Sequence, residues 1–191
     1  PGGTYTINSA VATGGTNFAS FNDAYDAMRC GIAGPVIFNV VAGSGPYNEQ
    51  LVMDEIQGTS STNTITFNGN GETITFLSTT SAERATIKLQ GVDYVTFDSL
   101  VVVAEGSASG EYGFGFHLIN NSDFNTINNC TINITQASTS TNFGGIIISN
   151  SHTSATTTGE TQCDNNTFSN NTITGGYYGM TLVGSTTVAN G

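Results

Sequence analysis

Three aspartates, Asp93, Asp123 and Asp164, open three copies of one short pattern, so a fold that stacks the copies also stacks their carboxylates. Paired carboxylates are the machinery of glycoside hydrolysis. A stack of acids also suits Ca²⁺, which takes oxygen ligands and is the one cofactor this pattern allows. Like charges one layer apart raise one another's pKa unless a cation or backbone N–H groups compensate. An aspartate at the start of a turn has a plainer use, bonding the backbone two residues on, and this is the favoured reading. Arg84 and Lys88 are the nearby pair that suits a base and charge partner for proton abstraction beside a uronate carboxylate. Their plainer reading is a solvated strand edge paired with Glu83. His117 lies between Phe116 and Leu118 and is expected to face outward, and His152 begins a Thr-rich stretch. Two lone histidines do not make a metal site. The carbohydrate-site candidates are therefore Asp93, Asp123, Asp164, Arg84 and Lys88, with no catalytic residue and no metal ligand assigned.

The elements that must position these residues follow from internal repetition. Asp93-x-x-Thr96-Phe97, Asp123-x-x-Thr126-Ile127 and Asp164-x-x-Thr167-Phe168 align, and each continues to an apolar residue at Val102, Ile132 or Ile173. A second column aligns Gly115, Gly145 and Gly179. Short strands and Asn- or Gly-containing turns fill each repeat, which is the signature of a right-handed parallel β-helix (a β-solenoid). Strands on successive coils lie about 4.8 Å apart, so equivalent residues form ladders. Phe97, Ile127 and Phe168 should stack inside, as should Val102, Ile132 and Ile173, and Cys130 should join the core beside Leu100. Asn129 with Asn170, and Asn128 with Ser169, should stack at turns. The stretch Ser151–Cys163 has no apolar period and reads as a loop inserted in one coil. At roughly 20–30 residues per coil, about six coils follow the N-terminal region.

One domain is expected over 1–191, with an N-terminal cap over 1–33 and coils over 34–191. The cap is an amphipathic helix from Ser20 to Gly31, with Phe18, Phe21, Tyr25 and Met28 on one stripe and Ser20 and Asp23 at its start. The chain reaches Gly191 without a closing element, and an uncapped solenoid end should aggregate. A fragment of a longer protein is the expectation.

Only three Lys and Arg stand against 14 Asp and Glu, for a formal net charge of −11. Nucleic acid and anionic membrane surfaces need a basic footprint and are excluded as partners. No run approaches the roughly 20 apolar residues of a membrane span. Cys30, Cys130 and Cys163 are odd in number, which leaves at least one thiol free, and their pairing is open.

The run Gly34–Gly43 followed by Tyr47-Asn-Glu-Gln-Leu51 resembles the opening of pectin-lyase-like β-helix proteins, and Phe18–Ala24 is similar to their cap helix. Thr4–Asn8, Asn17–Ala24 and Cys163–Asn166 resemble large surface proteins of Bacteroidetes exported by type IX secretion. The resemblance implies an extracellular, cell-surface location and a non-catalytic structural or adhesive role. Secretion machinery and cell-surface glycans or proteins are the implied partners. The alternative it implies is a carbohydrate-active enzyme (a polysaccharide lyase or hydrolase) or a carbohydrate-binding β-helix. In that lineage Asp98-Ser99-Leu100 matches an O-glycan acceptor pattern, with Ser99 as the modified residue.

Overall fold

The computed structural model describes residues 1–159 and 161–185. Its elements run β1 (Gly3–Ile7), β2 (Asn17–Phe18), α1 (Phe21–Asp26), β3 (Val36–Val40), β4 (Tyr47–Asn48) and β5 (Leu51–Asp54). They continue with β6 (Ile65–Asn68), β7 (Thr73–Phe76), β8 (Ala85–Gln90), β9 (Val95–Asp98), β10 (Val101–Ala104) and β11 (Gly113–Ile119). The later coils hold β12 (Thr126–Asn128), β13 (Thr131–Ile134), β14 (Phe143–Ile148), β15 (Thr167–Ser169), β16 (Thr172–Thr174) and β17 (Tyr178–Leu182).

From β3 onward every third strand pairs in parallel, with β1 and β2 added beside β3, which gives three sheets around one core and a parallel β-helix of about 6 turns. Sheet A runs β15-β12-β9-β6-β3-β1-β2, sheet B runs β16-β13-β10-β7-β4, and sheet C runs β17-β14-β11-β8-β5. The expected ladders are the observed ones. Phe97 pairs with Ile127, and Ile127 with Phe168; Val102 pairs with Ile132, and Ile132 with Ile173. The ladder through Phe97 extends down the stack to Phe67 and Phe38. Their rings lie 5.0 and 5.1 Å apart, at interplanar angles of 19° and 5°. Such pairs contribute about 0.5–1.5 kcal/mol each beyond burial. Cys130 is buried in this core. All three cysteines are free thiols, with Cys30 exposed and Cys163 half-buried.

The β3 run, near-continuously apolar in sequence, alternates instead: Val36, Phe38 and Val40 are buried while Asn39 is exposed. The helix is shorter than its apolar stripe suggests. Ser20 caps it by accepting the Asp23 N–H, but only Phe21–Asp26 is helical. Beyond it, Met28 N bonds Tyr25 O and Gly31 N bonds Met28 O, tight turns that release the chain so that Ile32 N can reach Gln57 O. Phe18 leaves the stripe for β2, while Phe21, Tyr25 and Met28 are buried. The chain end at Gly191, and with it the expected open coil, lies outside the described residues. No helix among them is long and apolar enough to cross a membrane.

The corners between sheets A and B carry a column of left-handed residues. Asn70, Ser99, Asn129 and Asn170 have φ of 54°, 55°, 54° and 54°, a conformation that asparagine tolerates better than most side chains. Ser169 Oγ donates to Asn128 Oδ1 at 2.7 Å, the expected turn ladder. The glycine column in sheet C has a different cause. A Cβ on Gly145 would lie 2.4 Å from Gly179 O and 2.5 Å from Ile173 Cγ2, whereas a Cβ on Gly179 would meet no described atom within 4 Å. Gly145→Ala should therefore cost about 1–3 kcal/mol by overpacking, and Gly179→Ala should stay within about 0.5 kcal/mol of the parent. Urea unfolding midpoints of the two variants measure the contrast.

Candidate functional site

The three aspartates do stack, but their bonds run between coils rather than along the chain. Asp93 Oδ1 accepts the N–H of Asp123 at 2.7 Å, and Asp123 Oδ1 accepts the N–H of Asp164 at 2.7 Å. The same N–H groups would otherwise be unpaired at a corner, where strand pairing lapses. Burial raises the carboxyl pKa of Asp93 and of Asp123, and the donated N–H opposes that rise. The next residue in each copy also adopts a left-handed conformation, Tyr94 at φ 59° and Phe124 at 55°, and their rings stack at 4.8 Å. Sequence patterning gave no signal for that pair, because the third copy carries Asn165 there.

Other acids are occupied in the same manner. Glu49 accepts from Phe21 N, Asn22 N and Asn22 Nδ2, and Glu72 from Gly43 N and Gly45 N. Glu111 holds Ser107 N and Ala108 N at 2.7 Å each. Among the described residues, no group of three His, Cys, Asp or Glu side chains is placed to hold a metal ion. Ser99 is half-buried in its corner and donates its hydroxyl to Asp98 Oδ2 at 2.8 Å, so an O-glycan at Ser99 would displace that bond.

Arg84 and Lys88 do not form a solvated edge. Both are only 7% exposed, and among the described residues neither forms an ion pair. The outer face of β8, β11 and β14 carries a second apolar cluster of Ala85, Phe114 and Ile147, closed by Ala155 from the inserted loop. That loop is held down by Asn150 N to Thr157 O and by Thr161 Oγ1 to Asn150 Oδ1. Beneath it Arg84 donates from Nε to Ser81 O at 2.8 Å and from Nη1 to Asn142 Oδ1 at 3.0 Å. Its guanidinium lies 4.5 Å from the Tyr112 ring centroid. Lys88 Nζ lies 2.6 Å from His152 Nδ1. Burial lowers the pKa of both members of that pair; Lys88 lowers that of His152 further, while Asp54 and Glu83 oppose the fall at Lys88.

His117 reverses its sequence expectation most clearly. Its side chain does leave the main core, but it is 1% exposed, because the loop covers the face it points to. It pairs in register with Lys88 on one side and Ile147 on the other. Among the described residues its Nε2 has no hydrogen-bond partner, and Thr181 Oγ1, across Ile147, also lacks one. Burial, with a smaller contribution from Lys88, pushes the His117 pKa down to about 3. A neutral imidazole of this kind is a packing element and not a base poised near neutrality.

The chain matches no protein-family model, no curated protein and no solved structure.

Two predictions follow from these contacts. Asp123→Asn keeps the acceptor for Asp164 N and removes a carboxylate whose ionisation burial disfavours, so it should match or exceed the parent in stability at pH 7. Asp123→Ala strands that N–H and should cost about 1–2 kcal/mol in urea unfolding. For His117 the folded pKa is depressed below the ordinary 6.5. Its contribution is therefore complete above pH 6.5 and is lost as pH falls from 6.5 towards about 3. The slope is at most about 1.4 kcal/mol per pH unit. His117→Phe should flatten that part of the Tm–pH profile.

Proposed function

We propose that this chain is a non-catalytic structural or adhesive segment of a large exported cell-surface protein. The observation that carries the reading is the condition of the candidate chemical groups. The column acids Asp93 and Asp123 each bond the next coil's backbone, and Arg84 and Lys88 lie beneath a loop. A hydrolase needs two carboxyl groups facing one substrate bond, and a lyase needs a base that reaches the substrate's proton. Acids already committed to backbone amides and cations shielded from solvent suit neither, while both suit a rod whose coils are pinned to one another.

The residue-level likeness to type IX-exported Bacteroidetes proteins supports the cell-surface assignment, with secretion machinery or a surface glycan or protein as the partner. The carbohydrate-active alternative is decided by the same test. The chain should release no unsaturated uronate and no reducing ends from pectin, alginate or other acidic and neutral glycans, with Ca²⁺ or with chelator. Turnover that disappears in Asp93→Asn, Asp123→Asn or Lys88→Met would overturn the structural reading. For the cell-surface assignment, the full gene product should be protease-accessible on intact cells and retained inside cells whose type IX system is disabled.

A further inference from the structure

We propose that the cavity between the residues leading into β8 and β14 and the inserted loop binds a small oxyanion, a carboxylate, sulfate or phosphate group, through Arg84. The cavity is about 170 Å³, which holds a group of that size and not a sugar chain. Arg84 lines it together with Thr141, Asn142, Thr153, Ser154 and Thr156. Of the five guanidinium N–H groups, Nε donates to Ser81 O and Nη1 donates to Asn142 Oδ1. The others have no hydrogen-bond partner among the described residues.

A buried guanidinium is ordinarily satisfied by a carboxylate, often in bidentate fashion. Here, in a chain with 14 acids and a net charge of −11, no described carboxylate lines the cavity or pairs with Arg84. Ring contacts hold the guanidinium in place instead, with Tyr112 at 4.5 Å and Phe114 at 5.5 Å from Cζ. The remaining groups on the wall include donors. Asn142 spends its Oδ1 on Arg84, which turns its Nδ2H₂ free for a ligand, and the hydroxyls of Thr141 and Thr156 make no other hydrogen bond among the described residues. A fixed cation, an amide donor and hydroxyls around a small void form the donor set that an oxyanion requires. An anion there would supply the charge partner that Arg84 lacks among the described residues and would tie the loop to the sheet.

The test uses the 191-residue chain, with the Arg84 Nε–H signal followed by NMR against sodium sulfate or acetate at constant ionic strength set by chloride. The signal should shift saturably, with a half-point at or below about 10 mM. Arg84→Gln should weaken this binding at least about tenfold, read on the Tyr178 and Thr156 resonances. Because Arg84→Gln removes a packed side chain, Thr141→Val with Thr156→Val provides a second reading and should weaken binding about threefold. Glucuronate and glucose 6-sulfate, run in parallel, separate the two sources of the anion. Binding of these sugars at equal or greater strength assigns the site to a glycan's acidic group, and binding of the free ions alone assigns it to a solute. Absence of a saturable shift with all four probes would overturn the proposal. So would binding that survives unchanged in the threonine variant and in a folded Arg84→Gln chain.

Discussion

Register between successive coils is the constraint on which everything else in this protein depends. Parallel pairing at about 4.8 Å places each residue directly above its equivalent, so a side chain is chosen for what it can do to a copy of itself one layer away. Phenylalanines stack with phenylalanines at Phe38, Phe67 and Phe97. Asn129 and Asn170, at left-handed corners, donate to Asp98 Oδ1 and Asn128 Oδ1 of the preceding coil, and Asp93 accepts the N–H of Asp123. Even the glycines obey it. Gly145 is required because the carbonyl of Gly179 and the methyl of Ile173 already occupy the space above. A one-residue slip would turn every ladder outward at once, so the register is strongly determined.

The inserted loop is the one place where the fold departs from repetition, and it changes the character of the face it covers. Elsewhere, outward positions of the strands carry mostly Thr, Asn, Asp or Ser, with partly exposed apolar residues at Ile37, Val52, Val101 and Val103. On sheet C the loop converts the outer face into a second small interior containing Phe114, Ile147, Arg84, Lys88 and His117. Burying two basic groups and an imidazole with no ion pair among the described residues is costly unless they find other partners. Lys88 finds His152, and Arg84 finds the Tyr112 ring and two oxygen acceptors. The acidic surface of the chain is thus separated from most of its few cations, since only Arg29 forms an ion pair among the described residues, with Asp26.

Much of this was legible in the residues. The ladder through Phe97, Ile127 and Phe168 could be read because the coils repeat nearly the same word, and Cys130 could be placed beside Leu100 by counting. The helix was overextended, because Met28 stays buried through turns that continue the apolar stripe without helical bonding. His117, Arg84 and Lys88 were misread for a different reason. Strand parity points Lys88 and His117 away from the core, and that part of the inference holds. What covers them comes from far along the chain, with Lys88 meeting His152 and Arg84 meeting Asn142. Local pattern carries no information about such a cover. The aspartate column was misread in the same sense, since its bonds cross between coils where a turn rule looks along one.

The claim that the cations of β8 are shielded, and so unavailable for chemistry on a substrate, is tested most directly by amine acylation. Lys88 is the sole lysine, so a lysine-reactive ester followed by peptide mass spectrometry reads one site. Under native conditions at pH 8, Lys88 should label far more slowly than in urea, at a rate set by opening of the inserted loop. Labelling of Lys88 in the folded chain as fast as in the unfolded one would show an open, reactive amine on that face and would contradict the account.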